Sequence, residues 1–100
     1  MIKHIVLWKL KEQHNGKSKD TLANEMTSRL LELRKFIPEI KSMEVSRNTI
    51  FPERNHDLIL LSEFNSFNDL ENYANHPEHL KVVAFVKEIV TSRAAIDYEL

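Results

Sequence analysis

Tyr73, His76 and His79 lie within seven residues of one another, in the motif Tyr-x-x-His-Pro-x-His that precedes an apolar segment. An imidazole with its ordinary pKa of about 6.5 can accept a proton at neutral pH, and a phenol can donate one to a developing enolate or alkoxide. We therefore predict Tyr73 and His79 as a candidate acid/base pair for a cyclisation, isomerisation or dehydration. Two other interpretations stay open: ligand contact without catalysis, and a structural role in which a histidine caps a helix or bonds a backbone carbonyl.

The pair His76 and His79 also has a spacing that can supply two metal ligands. A zinc site needs three or four ligands and supporting hydrogen bonds, and no other spacing in the chain demands a third ligand. Pro77 lies between the two histidines, so they would not share a regular helical face. The chain has a single glycine and lacks both a phosphate-binding loop and a Gly-x-Ser-x-Gly elbow. We therefore expect no metal site and no cofactor.

Composition narrows the class of protein. A chain of 100 residues with 42% hydrophobic and 29% charged residues is typical of one domain, which we expect to span residues 1–100. The formal net charge of −1 argues against nucleic acid and anionic membranes as partners. The absence of cysteine excludes disulfides, thiolate zinc sites and cysteine nucleophiles. No apolar run approaches the roughly 18 residues that span a bilayer, so we expect a cytoplasmic protein.

The periodicity of apolar residues predicts the elements that position the motif. Alternation predicts strands at residues 2–10, 40–49, 57–64 and 93–100. Apolar residues at helical spacing predict one helix from about 20 to 36, capped by Ser18 or Asp20 and ended by Pro38. Ser66 opens a second, short helix, and a further helix follows Pro77. The order β-α-β-β-α-β predicts an α+β, ferredoxin-like fold with a four-stranded antiparallel sheet and helices on one face.

Two of these strands, 2–10 and 57–64, are apolar on both faces, although the helices cover only one. An uncovered apolar face of several hundred Å² is unusual on a monomer. The simplest cover is the same face of a second copy, so we predict a homodimer through the sheet faces. Ile50 and Phe51, which are apolar in an otherwise polar loop, are also expected to contact the partner.

His4, Val6 and Trp8 share one face of the first strand. A lone histidine among apolar neighbours is either a core residue with satisfied hydrogen bonds or a group that orients the motif of the second half. Trp8 is either core packing or part of a pocket wall.

The start MIKHIVLWKLK, the segment HDLILLSEFNSFNDLENYANHPEHLKVVAFVKEIV and the chain length together resemble the stress-responsive α/β-barrel domain (Dabb) family. The resemblance covers nearly all 100 residues. It implies a ferredoxin-like monomer and a dimeric α/β barrel formed by two sheets. Most members of that family have no assigned activity. A plant branch includes a polyketide cyclase, and other plant members are linked to stress or pathogen resistance.

In the cyclase branch a tyrosine and a histidine of this motif act as an acid/base pair, and they correspond to Tyr73 and His79. The histidine of the first strand corresponds to His4. The cyclase branch has a further histidine on the third strand, and the corresponding position here is Leu58. The nearby histidine, His56, lies two residues earlier. The predicted catalytic residues are accordingly His79, Tyr73 and His4, and the predicted ligand-binding residues are Trp8, His76, Val6 and Leu58.

Three functional hypotheses follow. The first is a dimeric protein that binds a small hydrophobic ligand in a pocket between sheet and helices, with cofactor-free acid/base catalysis through Tyr73 and His79. The alternative is a non-catalytic, stress-related dimer or ligand-binding module. The third is a monooxygenase-like or haem-binding protein of the wider dimeric α+β barrel group.

Overall fold

In the computed structural model, which describes residues 1–100, a four-stranded antiparallel sheet carries three helices on one face. The elements in chain order are β1 (Ile2–Leu10), β2 (Gln13–His14), β3 (Lys17–Ser18), α1 (Lys19–Glu32), a 3-10 helix (Leu33–Lys35), β4 (Ser42–Arg47), β5 (Leu58–Phe64), α2 (Phe67–Asn75), α3 (Pro77–Ile89) and β6 (Val90–Glu99). The strand order in the sheet is β4-β5-β1-β6, with antiparallel pairing throughout. The predicted ferredoxin-like fold is therefore confirmed.

The alternation along β1 separates the two faces of the sheet. Val6, Trp8 and Leu10 are buried under the helices, next to Leu60 and Leu58 of β5. Leucine and other large aliphatic side chains contribute about 1.5–3 kcal/mol each when they are fully buried. This helix-covered face holds the core, and β1 lies at its centre because it pairs with both β5 and β6.

Ser18, one of the two caps predicted for helix α1, is the residue that caps it. The Ser18 hydroxyl accepts a hydrogen bond from the Thr21 amide, and Asp20 lies in the first turn. The helix is shorter than predicted, because its last turn tightens into the 3-10 helix before Pro38. Its buried stripe comprises Leu22, Ala23, Met26 and Leu30.

The polar segment between β1 and α1, where no element was predicted, contains regular structure. It forms a hairpin of the two short strands β2 and β3, whose turn residues Asn15 and Gly16 have φ values of 50° and 78°. Asn-Gly is the dipeptide most typical of a two-residue hairpin turn, because both positions need positive φ.

Asp57 joins the end of β1 to the start of α1. Its carboxylate accepts a 2.7 Å hydrogen bond from the Leu10 amide and lies 3.3 Å from Lys19 Nζ. Asp57 directly precedes β5, so its side chain links three elements of the fold.

The second face of the sheet is apolar and bears no helix. Ile5 pairs with Leu61 on one side and with Ile96 on the other, so all three side chains lie on this face. Ile96 is 66% exposed in the single subunit. Ile50 and Phe51, in the loop before β5, are also exposed. None of the helices is both long and apolar enough to cross a membrane.

Candidate functional site

The His-Pro break brings Tyr73 and His79 together. Helix α2 ends at Asn75, and His76 adopts an extended conformation with ψ 135°, as expected for a residue before proline. Pro77 then occupies the first turn of α3, where its missing N–H costs nothing. Tyr73 in the last turn of α2 and His79 in the first turn of α3 consequently face each other, with ring centroids 4.3 Å apart.

Tyr73 is the most deeply buried member of this group, with 1% of its surface exposed. Its ring packs 5.0 Å from that of Phe64 and 6.2 Å from that of His4. Burial raises the pKa of Tyr73 above its ordinary value of 10, although the charge of Arg93 opposes this rise. Tyr73 is therefore a neutral phenol over the whole physiological range and can act as a hydrogen-bond donor.

His79 is partly buried, and its ring orientation is set by the backbone. Its Nδ1 lies 3.0 Å from the carbonyl oxygen of Ala74, which can only accept a hydrogen bond, so Nδ1 carries the proton and donates. In the neutral ring Nε2 is then the basic nitrogen. Burial lowers the pKa of His79 below its ordinary value of 6.5, and the Ala74 carbonyl partly offsets this effect. His79 is therefore neutral at pH 7 and can accept a proton.

His4 is held by a residue of the opposite end of the chain. It pairs with Asp97 across β1 and β6, and its Nδ1 donates to the Asp97 carboxylate. A carboxylate oxygen accepts, so Nδ1 carries a proton in this bond, and in the neutral ring Nε2 is then an acceptor. Asp97 was not predicted from the sequence.

His4, Tyr73 and His79 line a cavity of about 380 Å³ between the sheet and the helices. Ligand pockets in proteins usually have volumes of about 300–1,000 Å³ and are mainly apolar. Eleven of the 15 residues that line this cavity are hydrophobic. The lining comprises His4, Val6, Trp8, Leu30, Leu60, Leu70, Tyr73, Ala74, His79, Val82, Val83, Val86, Lys87, Val90 and Arg93.

The predicted site residues divide into two groups by position. His4, Val6, Trp8, Tyr73 and His79 all line the cavity. Within this group, Trp8 is 5% exposed and its indole Nε1 is buried without a hydrogen-bond partner.

The other two predicted residues, His76 and Leu58, do not line this cavity. His76 caps α3, with its Nδ1 accepting a 3.1 Å hydrogen bond from the Glu78 amide. Leu58 is packed in the core beside Trp8. His56 also lies outside the cavity, with Nε2 3.5 Å from the Ser92 hydroxyl.

Arg93 and Lys87 are cavity residues that the sequence did not reveal. Lys87 lies in the last turn of α3, and Arg93 lies on β6 opposite Trp8. The one available signal was the alternation of the last strand, which places Arg93 and Asp97 on one face. Alternation does not indicate which strand pairs with β6. No group of three or more His, Asp or Glu residues has an arrangement that could hold a metal ion.

The family model described as "Stress responsive A/B Barrel Domain" matches residues 2–100. A sequence search of curated proteins found no match.

Similar solved structures include a dimeric protein of unknown function and ferredoxin-like fold from Bacteroides fragilis. It is 34% identical, with 99% of this chain and 95% of that chain covered and a TM-score of 0.86. A hydroxynitrile lyase from Passiflora edulis is 17% identical, with coverages of 99% and 92% and a TM-score of 0.83. An antibiotic biosynthesis monooxygenase is 12% identical, with coverages of 100% and 98% and a TM-score of 0.77.

At these low identities, the lyase and the monooxygenase show a shared fold alone. The family match over residues 2–100 and the 34% identical Bacteroides relative establish the family as well as the fold. The chain belongs to the stress responsive A/B barrel domain family.

Proposed function

We propose that this protein binds a small, mainly hydrophobic ligand in the cavity and acts on it by cofactor-free acid/base chemistry. The observation that carries the proposal is the 4.3 Å approach of the Tyr73 and His79 rings on the cavity wall, with the Nδ1 proton of His79 donated to the Ala74 carbonyl. A neutral imidazole and a protonated phenol are the forms that such a pair needs at pH 7.

The chemistry assigns one proton transfer to each residue. Nε2 of His79 takes a proton from the carbon next to a carbonyl of the ligand, and the C–H electron pair moves into the carbonyl to form an enolate. The Tyr73 hydroxyl donates to the enolate oxygen, where negative charge develops. Where a double bond is conjugated with the enolate, return of the proton from His79 to the far carbon completes an isomerisation. In a cyclisation, the enolate carbon attacks a second carbonyl, a C–C bond forms, and the proton on His79 passes to the new alkoxide oxygen.

His4 belongs to this proposal as a polar group beside Tyr73. Its ring lies 6.2 Å from that of Tyr73, and with Nδ1 bonded to Asp97, Nε2 of the neutral ring is an acceptor. An acceptor near the phenol would orient the Tyr73 hydroxyl or bind a hydroxyl group of the ligand. We therefore assign His4 to positioning and His79 to proton abstraction.

Exchange of C–H protons for deuterium tests the proposed step without knowledge of the natural substrate. The probe is 2-nonanone in D₂O, followed by proton NMR at the carbons next to the carbonyl. We expect the protein to accelerate exchange, and His79→Gln and Tyr73→Phe each to reduce the acceleration roughly 10²-fold. His14→Gln, which alters a histidine outside the cavity, is the matched control and should leave the exchange rate unchanged.

A second assay uses mandelonitrile, because the Passiflora protein that shares the fold is a hydroxynitrile lyase. If both probes bind, as measured by the fluorescence of Trp8, but neither reacts faster than in buffer, the catalytic proposal is wrong. The protein is then a non-catalytic ligand-binding module.

The proposed assembly is a homodimer formed by the open sheet faces. Two facts support it: the exposed apolar surface around Ile5, Leu61 and Ile96, and the description of the Bacteroides relative as dimeric. Burial of this face against a second copy would remove apolar surface from water. Each Å² of apolar surface buried in this way would stabilise the dimer by about 25 cal/mol. Light scattering on the purified protein tests it, and a monomer at micromolar concentration would contradict it.

A further inference from the structure

The apolar cavity has a cationic mouth. Lys87 and Arg93 both line the cavity and are both exposed, which places their side chains where the cavity meets solvent. The remaining titratable residues of the lining are His4, Tyr73 and His79, so no carboxylate belongs to it. A ligand that enters therefore meets two positive charges and no negative one.

Neither of these cations has an ion-pair partner in the subunit. Other basic side chains, such as Lys17, Arg29 and Arg47, each lie within about 3 Å of a carboxylate oxygen. Two carboxylates lie on the same face of β6 as Arg93. Asp97 is bonded to His4 instead, and Glu99 lies at the far end of the strand, opposite Ile2. Lys87 and Arg93 are thus available to a ligand.

The position of Arg93 connects the mouth to the inner site. Arg93 pairs with Trp8 across β1 and β6. Burial raises the pKa of Tyr73 and lowers that of His79, and the charge of Arg93 opposes the first effect and adds to the second. The guanidinium group is therefore near enough to act on both ends of the proposed acid/base pair. A planar guanidinium binds a carboxylate through two parallel hydrogen bonds, which fixes the orientation of the ligand as well as its charge.

We propose that the cavity selects an amphipathic monocarboxylate, whose carboxylate binds Arg93 and Lys87 at the mouth and whose apolar tail lies against Val6, Trp8 and Val86. This inference rests on the proposed function of the same cavity and specifies its ligand class. The walls exclude water from the tail, and the carboxylate keeps its contact with solvent, so neither end of the ligand is buried in an unfavourable environment.

Trp8 provides the measurement, because it is the one tryptophan of the chain and it lines the cavity. The probes are decanoate and decanamide, which share an apolar tail and differ in the charge of the head group. Titrations at about pH 7.5 follow the quenching or shift of Trp8 fluorescence. We expect decanoate to bind roughly tenfold more tightly than decanamide at low salt. The preference should shrink as salt is added, because the mouth is exposed to solvent.

Variants identify the cations responsible. Arg93→Gln should weaken decanoate binding roughly five- to tenfold and leave decanamide binding unchanged, and Lys87→Gln should have a smaller effect in the same direction. Arg34→Gln is the matched control, because Arg34 is also exposed but does not line the cavity. Both arginines lie at the surface, so the variants should fold, and circular dichroism checks that they do.

The outcomes separate this inference from the proposed function. Equal affinity for decanoate and decanamide would overturn the anion selectivity and leave the apolar ligand site intact. A preference for decanoate that survives in the Arg93→Gln, Lys87→Gln double variant would place the carboxylate elsewhere and also overturn the inference. Failure of both probes to bind would contradict the ligand site itself.

Discussion

His4 and Asp97, 93 residues apart in the sequence, are joined by a hydrogen bond between Nδ1 of the imidazole and the carboxylate. The two residues are direct partners in the β1–β6 register. The bond ties the first strand to the last beside the cavity that His4 lines.

Asp97→Asn tests this relationship. The side chain of Asp97 is 49% exposed, so we expect the free energy of unfolding to fall by less than about 1 kcal/mol. The amide holds the imidazole less strongly than the carboxylate does, and we expect the nitrogen-15 NMR signals of His4 to change from one tautomer to a mixture. Asp20→Asn, which breaks the exposed pair with Arg47, is the control and should leave the His4 signals unchanged. A single unchanged tautomer in Asp97→Asn would contradict the positioning role of Asp97.

Tyr73→Phe separates chemistry from stability. Burial and the charge of Arg93 are the influences on the pKa of the Tyr73 phenol, and no protein hydrogen bond contributes to it. Removal of the hydroxyl should therefore change the free energy of unfolding by less than about 1 kcal/mol, while the acceleration of ketone proton exchange falls roughly 10²-fold. Tyr73→Ala, by contrast, should cost about 3–5 kcal/mol, because it empties a fully buried site between Phe64 and His79. Urea unfolding measures both values, and a large loss in Tyr73→Phe would favour a structural role for the hydroxyl.

The pH dependence of activity should follow His79. Proton abstraction requires the neutral ring, and burial lowers the pKa of His79 below 6.5. The rate of ketone exchange should therefore rise with pH through an apparent pKa below 6.5 and then stay level through neutral pH. Because the pKa of Tyr73 is raised above 10, loss of the acid should begin only in strongly alkaline solution. A rate that rises through a pKa above 6.5 would exclude His79 as the base.

Stability should depend on His79 in the same pH range. The folded protein takes up the His79 proton at lower pH than the unfolded chain does, because its pKa is lowered by folding. The contribution of neutral His79 to the free energy of unfolding should then be fully present above about pH 6.5. It should fall as the pH drops toward the folded-state pKa. His79→Gln should remove part of this fall, whereas His14→Gln should not. Urea titrations at about pH 7.5 and about pH 5 measure the difference.

The sequence was sufficient for the local features of the fold and the site. Alternation identified β1, helical spacing identified α1, and the His-Pro break correctly separated α2 from α3. The cap at Ser66 was also readable, since its hydroxyl accepts from the Asp69 amide three residues later. The Asn15–Gly16 hairpin was missed although its signal was present. The strands on either side of it have only two residues each, too short for an alternating pattern.

The remaining features depend on register, which local patterns do not contain. Asp97 and Arg93 reach the site only because β6 lies next to β1 with His4 opposite Asp97. Leu58 and Leu60 share a face of β5, yet Leu60 lines the cavity and Leu58 does not. Alternation assigns both to one side of the sheet, and only the placement of the helices distinguishes them.

Ile96→Lys tests the proposed assembly. Ile96 is 66% exposed in the single subunit, so a lysine there should leave the fold of the subunit intact, as circular dichroism can check. In a dimer through the sheet faces, the same substitution would bury an unpaired charge against the apolar surface of the partner, at a cost of several kcal/mol. We therefore expect light scattering to show a dimer for the wild type and a monomer for Ile96→Lys. Leu80→Lys, at a comparably exposed leucine of α3, is the control and should remain dimeric. A dimer that persists in Ile96→Lys would place the interface on another surface.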